Sequence, residues 1–342
     1  MRVIIVTDAW HPQINGVVRT LTRVRDELSA MGHEIEVIHP GLFPNIPCPT
    51  YPEIRLALAP ARRLRKLLNS ALGGPDRTPG EPPRAIHIAT EGPLGFAARR
   101  YCRKRDLPFT TSFHTRFPEY VQARIGVPPS WLYAVLRWFH RPSEGVLVAT
   151  KTIENVLDRH GFINIKPWSR GVDTELFRPY DEPLFDLPRP IFVHVGRVAV
   201  EKNIGAFLDL DLPGSKVVVG DGPKLSELRR AHPDVLFTGA KTGVELARHY
   251  AAGDVFVFPS RTDTFGLVML EALACGLPVA AFPVPGPLDV IDGIGVGVLD
   301  EDLAAAATRA LEIPRERCRD YALGFSWRRC AEQFLENLAP NA

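Results

Sequence analysis

The stretch DVFVFPSRTDTFGLVMLEALACGLPVAAFP, residues Asp254 to Pro283, contains the pattern of a strand, a turn, a helix and a second strand. The run from Val255 to Phe258 is wholly apolar, which is typical of a strand buried on both faces of a parallel sheet. A turn with Gly266 then leads into an apolar run of helical length. The stretch predicts a βαβ unit, because a helix must return the chain to the start of a parallel strand.

The same alternation recurs along the chain. Before the Pro-rich interval Phe177–Pro190, short Val- and Ile-rich runs include VIIVTD, RAIHIAT and GVLVAT; after it they include IFVHVGR and KVVVGDG. This rhythm predicts an α/β protein with two doubly wound parallel-sheet domains. We place the domains at residues 1–175 and 176–325. A helix at 326–342 is expected to pack back on the first domain.

Composition indicates a globular protein with two cores, since 45% of the 342 residues are hydrophobic. No apolar run reaches the roughly 20 residues that span a bilayer, and the first residues lack a signal-peptide pattern, so we expect a cytoplasmic protein. Five cysteines without a Cys-x-x-Cys pair argue against a disulfide framework or a zinc site and predict buried thiols. Asp209 and Asp211 form an Asp-x-Asp ahead of a strand rather than at the end of one, so no metal is predicted there.

Charge is divided unevenly between the two halves. Residues 1–170 hold 24 Lys and Arg against 14 Asp and Glu, a net +10, and the remaining residues hold 17 against 25, a net −8. A basic first half is compatible with nucleic acid, an anionic membrane or an acidic substrate. No nucleic-acid module accompanies the charge, so nucleic acid is not predicted as a partner.

Cations and glycines follow the predicted strands of the second half. Arg197 comes directly after IFVHV, and Lys202 lies five residues further, near a helix start. Two cations beside a helix N-terminus suit a diphosphate, although a solvated pair is the alternative. Gly220 and Gly222 form a glycine-rich turn after the next strand.

Two acids, Asp263 and Glu271, lie on either side of the helix start in the opening stretch. Their carboxylates can accept hydrogen bonds from sugar hydroxyls. Asp263 also suits a helix N-terminus as a simple capping charge. Glu271, flanked by Leu270 and Ala272, requires a partner because a buried carboxylate is costly. In the first half, Gly16 opens a helix after the first strand, and His114 follows the strand FTTSF.

At these residues the chain resembles the retaining glycosyltransferases of family 4. Asp263 and Glu271, separated by seven residues, are similar to that family's E-x7-E signature. The segments DAWHPQINGVVRTL, SFHT, RGVDTELF, GRVAVEKN and VGDGP also occur in the family's order. The resemblance is strongest to the branch of sulfoquinovosyl-diacylglycerol synthases, diacylglycerol glycosyltransferases and GDP-mannose-dependent α-mannosyltransferases. It implies the GT-B fold, with two Rossmann-like domains facing a central cleft.

The resemblance also implies a role for each site residue. The first domain would bind the acceptor and the second the nucleotide-sugar. The implied catalytic residues are His114, Arg197, Lys202 and Asp263. The implied nucleotide-sugar-binding residues are Gly16, Gly220, Gly222, Thr264, Phe265, Gly266, Leu267, Val268 and Glu271. This chain has Asp263 where many relatives have Glu, which shortens the reach toward the sugar.

The predicted function is transfer of a hexose or hexuronic acid, with retention, from a nucleotide-sugar to a membrane lipid. We expect a UDP-sugar as donor, diacylglycerol as acceptor, and no metal or other cofactor. No side chain is placed as a nucleophile, which favours a path in which the leaving phosphate deprotonates the acceptor. The alternatives are a GDP-mannose-dependent α-mannosyltransferase acting on a glycan or lipid, a nucleotide-sugar epimerase, and a non-catalytic sugar-nucleotide binding protein.

Membrane contact is predicted from the basic half. One basic cluster contains Arg62, Arg63, Arg65 and Lys66, and a second spans Arg99–Arg105. Trp131, Val135 and Trp138 fall on one face if WLYAVLRWFHRP is a helix, which suits a membrane interface beside arginines. The alternative is that this face packs in the core. We therefore expect peripheral association with the inner face of the cell membrane, through an anionic lipid surface.

Overall fold

The computed structural model describes residues 1–13, 15–48, 51–73, 82–114, 118, 128–180, 184–263 and 265–341, with the side chains of 51–53 left aside. The chain divides into two compact units, Met1–Ser169 with Trp327–Ala342, and Arg170–Ser326. At the boundary after Ser169, the chain is hydrogen-bonded to the C-terminal helix of the same unit. The Trp168 indole donates to the Cys330 carbonyl at 3.1 Å, and the Ser169 amide donates to the Gln333 side chain at 2.8 Å.

The first unit is built around a mostly parallel sheet. Its strands are β1 (Arg2–Val6), β2 (Glu34–Ile38), β3 (Asn45–Cys48), β4 (Tyr51–Ala57), β5 (Arg84–Ile88), β6 (Thr110–Phe113), β7 (Gly145–Val148), β8 (Ile165–Pro167) and β15 (Pro340–Asn341). Its helices are α1 (Gly16–Ala30), α2 (Ala61–Ala71), α3 (Pro93–Arg103), α4 (Pro129–His140), α5 (Lys151–Arg159) and α13 (Trp327–Asn337).

The main sheet of this unit has the order β2-β1-β5-β6-β7-β8, all parallel, with β15 antiparallel to β5 and a separate β3–β4 hairpin. Apolar side chains of β1 and β5 share a core with helices α2, α3 and α4, including Ile4, Ile86, Leu68, Leu94 and Phe139. Helix α13 packs against α1. The three helices α2, α3 and α4 therefore lie in one layer.

The second unit repeats the architecture without a sequence repeat. Its strands are β9 (Ile191–Val195), β10 (Ser215–Val219), β11 (Leu236–Gly239), β12 (Val255–Phe258), β13 (Val279–Ala281) and β14 (Gly297–Leu299). Its helices are α6 (Ile204–Leu208), α7 (Leu225–Ala231), α8 (Gly243–Ala251), α9 (Leu267–Ala274), α10 (Pro287–Ile291), α11 (Leu303–Ala310) and α12 (Arg315–Leu323). A 3₁₀ helix, Val200–Lys202, precedes α6.

The second sheet has the order β11-β10-β9-β12-β13-β14, and every pair is parallel. Successive strands extend outward from β9 on one side and from β12 on the other. The connection reverses direction between these two neighbours, and such a switch point opens a crevice at the carboxyl ends of the strands. The predicted fold class, α/β with two doubly wound parallel sheets, is confirmed.

Two smaller expectations concern cysteines and membrane spans. Four cysteines are buried thiols outside any disulfide, whereas Cys48 is only half-buried because it ends the short hairpin strand β3. Within the described ranges, no helix has the length and apolar character needed to cross a bilayer.

Candidate functional site

The switch point of the second sheet brings two loops together that are distant in sequence. The loop after β9 carries Arg197 and Lys202, and the loop after β12 carries Asp263. Asn203, in the left-handed conformation with φ of 51°, donates from its side chain to the Pro259 carbonyl at 3.1 Å. This bond ties the loops to each other at the strand ends.

Lys202 and Asp263 form an ion pair across this junction. The Lys202 ammonium lies 2.6 Å from Oδ1 and 2.8 Å from Oδ2 of Asp263. Their side chains are 25% and 18% exposed, so the pair is largely shielded from solvent but accessible from one side. Asp263 therefore holds the ammonium in place and does not act simply as a helix cap. Arg197, in contrast, is exposed.

Glu271 lies in the second turn of α9, whose N-cap residue Gly266 has a φ of 78°. Its side chain is buried, with 4% exposure, and it accepts a hydrogen bond of 2.9 Å from the Tyr250 hydroxyl. The hydrogen-bond partner that the sequence predicted for the Glu271 carboxylate is therefore Tyr250, a residue of α8. Leu267 and Val268 are the first helical residues, where backbone N–H groups lack intrahelical acceptors. Phe265 is buried beside them, and Thr264 lies outside the described residues.

Gly220 and Gly222 have a structural reason for lacking a side chain. A Cβ at Gly220 would lie 1.8 Å from the Gly196 carbonyl oxygen, and one at Gly222 would lie 2.3 Å from that of Val198. The Val198 amide donates to the Asp221 carbonyl at 2.9 Å. The glycines therefore let the loops after β9 and β10 approach closely, and their contact with a nucleotide-sugar stays a prediction.

In the first unit, Gly16 is the first residue of α1, whose N-cap is Asn15. His114 follows β6 and is half-buried, with its Nε2 2.8 Å from the Ser112 hydroxyl oxygen. Ser112 also contacts the buried His87 at 3.1 Å. These contacts fix the His114 ring at the carboxyl end of its strand.

A basic–aromatic surface lies on the layer formed by α2, α3 and α4. It consists of the exposed residues Arg62, Arg63, Arg65, Lys66, Phe96, Arg100, Arg103, Trp131, Val135 and Trp138. Trp131, Val135 and Trp138 are 73%, 51% and 53% exposed, so this helix face does not pack in the core. The Arg99 guanidinium lies 3.8 Å from the Trp138 ring centre, and Phe96 stacks on that ring at 6.2 Å.

Three residues that contact predicted site residues were not predicted from the sequence: Tyr250, Ser112 and Phe96. Tyr250 and Ser112 form hydrogen bonds with the predicted residues Glu271 and His114, and nothing in the local pattern identifies which side chain supplies such a bond. Phe96 lies in an amphipathic helix, and its position beside Trp138 depends on helix packing. In the part of the chain that the structure describes, no three His, Cys, Asp or Glu side chains come together as a metal site, and metal independence remains a prediction.

Comparison with known proteins follows the same division of the chain. Residues 14–176 match the family described as Glycosyltransferase Family 4, and residues 189–313 match Glycosyl transferases group 1. A GDP-mannose-dependent alpha-mannosyltransferase of Mycobacterium tuberculosis is 33% identical over 318 residues, covering 87% of this chain and 83% of that protein.

Two further proteins extend the comparison. An alpha-monoglucosyldiacylglycerol synthase of Streptococcus pneumoniae is 27% identical, covering 91% of this chain and 78% of that protein. The solved structure of a sucrose-phosphate synthase from Thermosynechococcus elongatus matches with a TM-score of 0.76 at 21% identity, covering 98% of both chains. At that identity, the structural likeness concerns the fold alone.

Proposed function

We propose, from the premise that this chain belongs to glycosyltransferase family 4, that it is a retaining enzyme acting on a membrane lipid. It transfers a hexose or hexuronic acid from a nucleotide-sugar, with a UDP-sugar favoured, to a lipid hydroxyl. Diacylglycerol is the proposed acceptor. The enzyme works as a peripheral protein on an anionic membrane surface.

The donor site is assigned to the switch point of the second unit. Arg197 and Lys202 would neutralise the diphosphate, and Asp263 and Glu271 would accept hydrogen bonds from sugar and ribose hydroxyls. The bond between the anomeric carbon and the phosphate oxygen breaks while the bond to the acceptor oxygen forms on the same face. The acceptor proton passes to the leaving phosphate oxygen. Catalysis then rests on stabilising the developing diphosphate charge with fixed cations.

The observation that carries the lipid acceptor is the basic–aromatic surface. An exposed helix face with two tryptophans and a valine is unusual for a solvated surface, and indole rings favour the headgroup region of a bilayer. The neighbouring cations add about 1 kcal/mol each on an anionic leaflet. Several such cations are sufficient to hold a protein reversibly at a membrane. The pneumococcal relative, a synthase named for glucosyldiacylglycerol, supports the same acceptor class.

The test combines transfer and flotation. Labelled UDP- and GDP-sugars are incubated with the protein and anionic vesicles containing diacylglycerol; we expect a lipid-soluble labelled product from a UDP-sugar. The protein should float with anionic vesicles at low salt, and Arg62→Glu with Arg65→Glu should abolish flotation. Arg229→Glu with Arg230→Glu, an equal charge change on α7 of the second unit, is the matched control. A protein that stays at the bottom of the gradient under all lipid and salt conditions would refute membrane docking.

A second candidate is a GDP-mannose-dependent α-mannosyltransferase. It is favoured by the identity of 33% to the mycobacterial relative over most of both chains. The same assay separates the two candidates, since labelled product would then arise from GDP-mannose and not from UDP-sugars. Label recovered in a water-soluble glycan would replace the lipid acceptor.

A further inference from the structure

The buried bond between Tyr250 and Glu271 joins two helices of the second unit. The tyrosine hydroxyl donates to Oε2 of the glutamate at 2.9 Å. Tyr250 has no exposed surface, and Glu271 is 4% exposed. A carboxylate removed from water in this way requires hydrogen-bond donors, because an unsatisfied buried charge costs several kcal/mol. The hydroxyl of Tyr250 supplies one of them.

The position of this donor is fixed by packing. The Tyr250 ring contacts Phe177 edge-on at 5.8 Å and Phe256 at 5.7 Å between ring centres. Phe256 is in β12, the strand whose loop leads to α9. Aromatic contacts on a fully buried ring leave little freedom for its hydroxyl. The bond to Glu271 is therefore directional and holds the carboxylate in one orientation.

Holding a carboxylate still matters when it must bind a ligand. A carboxylate offers about four acceptor positions, so one bond from a tyrosine does not exhaust its capacity. Two adjacent hydroxyls, such as those of a ribose, require both carboxylate oxygens at defined positions. A group that fixes this orientation beforehand lowers the entropy lost on binding.

We propose that Tyr250 is a positioning residue for the donor nucleotide: its hydroxyl orients the Glu271 carboxylate to accept hydrogen bonds from the ribose 2′- and 3′-hydroxyls. This inference rests on the proposed function, in which Glu271 binds the ribose. It adds a residue of α8, outside every loop at the strand ends, to the nucleotide site.

The experiment removes one hydrogen bond from the protein and the matching hydroxyls from the ligand. UDP and GDP are titrated calorimetrically, and the tighter ligand is compared with its 2′,3′-dideoxy counterpart. We expect wild type to prefer the ribonucleotide by roughly 10-fold or more, since bonds to a charged acceptor are strong. Tyr250→Phe should weaken ribonucleotide binding roughly 5- to 10-fold and leave dideoxynucleotide binding within about twofold.

Two further variants sharpen the result. In Glu271→Gln, adding Tyr250→Phe should cause no additional loss, because the tyrosine acts only through the carboxylate. Tyr321→Phe is the matched control: Tyr321 donates to the Val290 carbonyl at 2.6 Å in the same unit and is half-buried. It should keep the wild-type preference for the ribonucleotide.

The outcomes separate the inference from the function beneath it. An unchanged ribonucleotide preference in Tyr250→Phe overturns the inference, as does an equal loss of affinity for both ligands, which indicates general damage to the fold. A wild type that does not distinguish the ligands removes the assigned role of Glu271, and the inference with it. Binding of neither UDP nor GDP contradicts the proposed function itself.

Discussion

Lys202→Ala tests the assignment of the switch point as the donor site. Unit charges 4 Å apart at an effective dielectric constant of 20 interact by about 4 kcal/mol. Loss of one fixed oxyanion-stabilising donor typically costs about 3 kcal/mol. Lys202 is only 25% exposed and is held by both oxygens of Asp263. Its ammonium is therefore already in place before the leaving diphosphate develops charge, as a fixed oxyanion-stabilising donor is. We expect turnover to fall roughly 100-fold.

The ion pair predicts a second effect that a solvated lysine would not give. In Lys202→Ala, the Asp263 carboxylate loses its partner and faces the diphosphate as an uncompensated negative charge. Replacing it as well, in Lys202→Ala with Asp263→Asn, should tighten diphosphate binding roughly 10-fold relative to the single variant. The binding of UDP or GDP is measured because neither carries the donor sugar. The result is therefore independent of any contact between Asp263 and that sugar.

The assay is the initial rate of transfer from labelled donor to lipid, with the free energy of unfolding measured in urea. Because the Lys202–Asp263 pair is largely shielded but accessible from one side, its loss should lower that free energy by about 1 to 2 kcal/mol, which leaves the protein folded in the assay. Lys241→Ala is the control, since Lys241 pairs with Glu245 one helical turn away in the same unit. A near-normal initial rate of transfer by Lys202→Ala, both at saturating donor and below saturation, would refute the reasoning.

Three other changes give separate tests. Val135→Glu should reduce flotation with anionic vesicles without altering the melting temperature, whereas Val244→Glu, equally exposed in the second unit, should float as wild type. Gly220→Ala should lower the free energy of unfolding in urea by about 2 kcal/mol, because its Cβ would meet the Gly196 carbonyl; full stability would contradict the close approach. Burial lowers the pKa of His87 to about 3, while an unfolded histidine titrates near 6.5, so the unfolded chain binds an extra proton below that pH. Stability should therefore fall by roughly 2 kcal/mol between about pH 6.5 and 5, and equal urea midpoint changes in wild type and His87→Asn would exclude this origin.

The sequence alone determined the type and the faces of the main elements. The apolar run Val255–Phe258 specified a buried strand, and the spacing of Trp131, Val135 and Trp138 specified one helix face. It also placed Lys202, Asp263 and Glu271 after predicted strands. These features are local, since the periods of a strand and a helix are properties of consecutive residues.

The tertiary structure decided which of these elements are neighbours. Strand order places β9 beside β12, which brings Lys202 to Asp263, and helix packing gives Glu271 the hydroxyl of Tyr250. It also places the Gly196 carbonyl so close to Gly220 that a side chain at residue 220 would collide with it. Local periodicity carries no information on such pairs, because the partner depends on how each crossover returns the chain to the sheet and on how side chains from different elements fill the space between them.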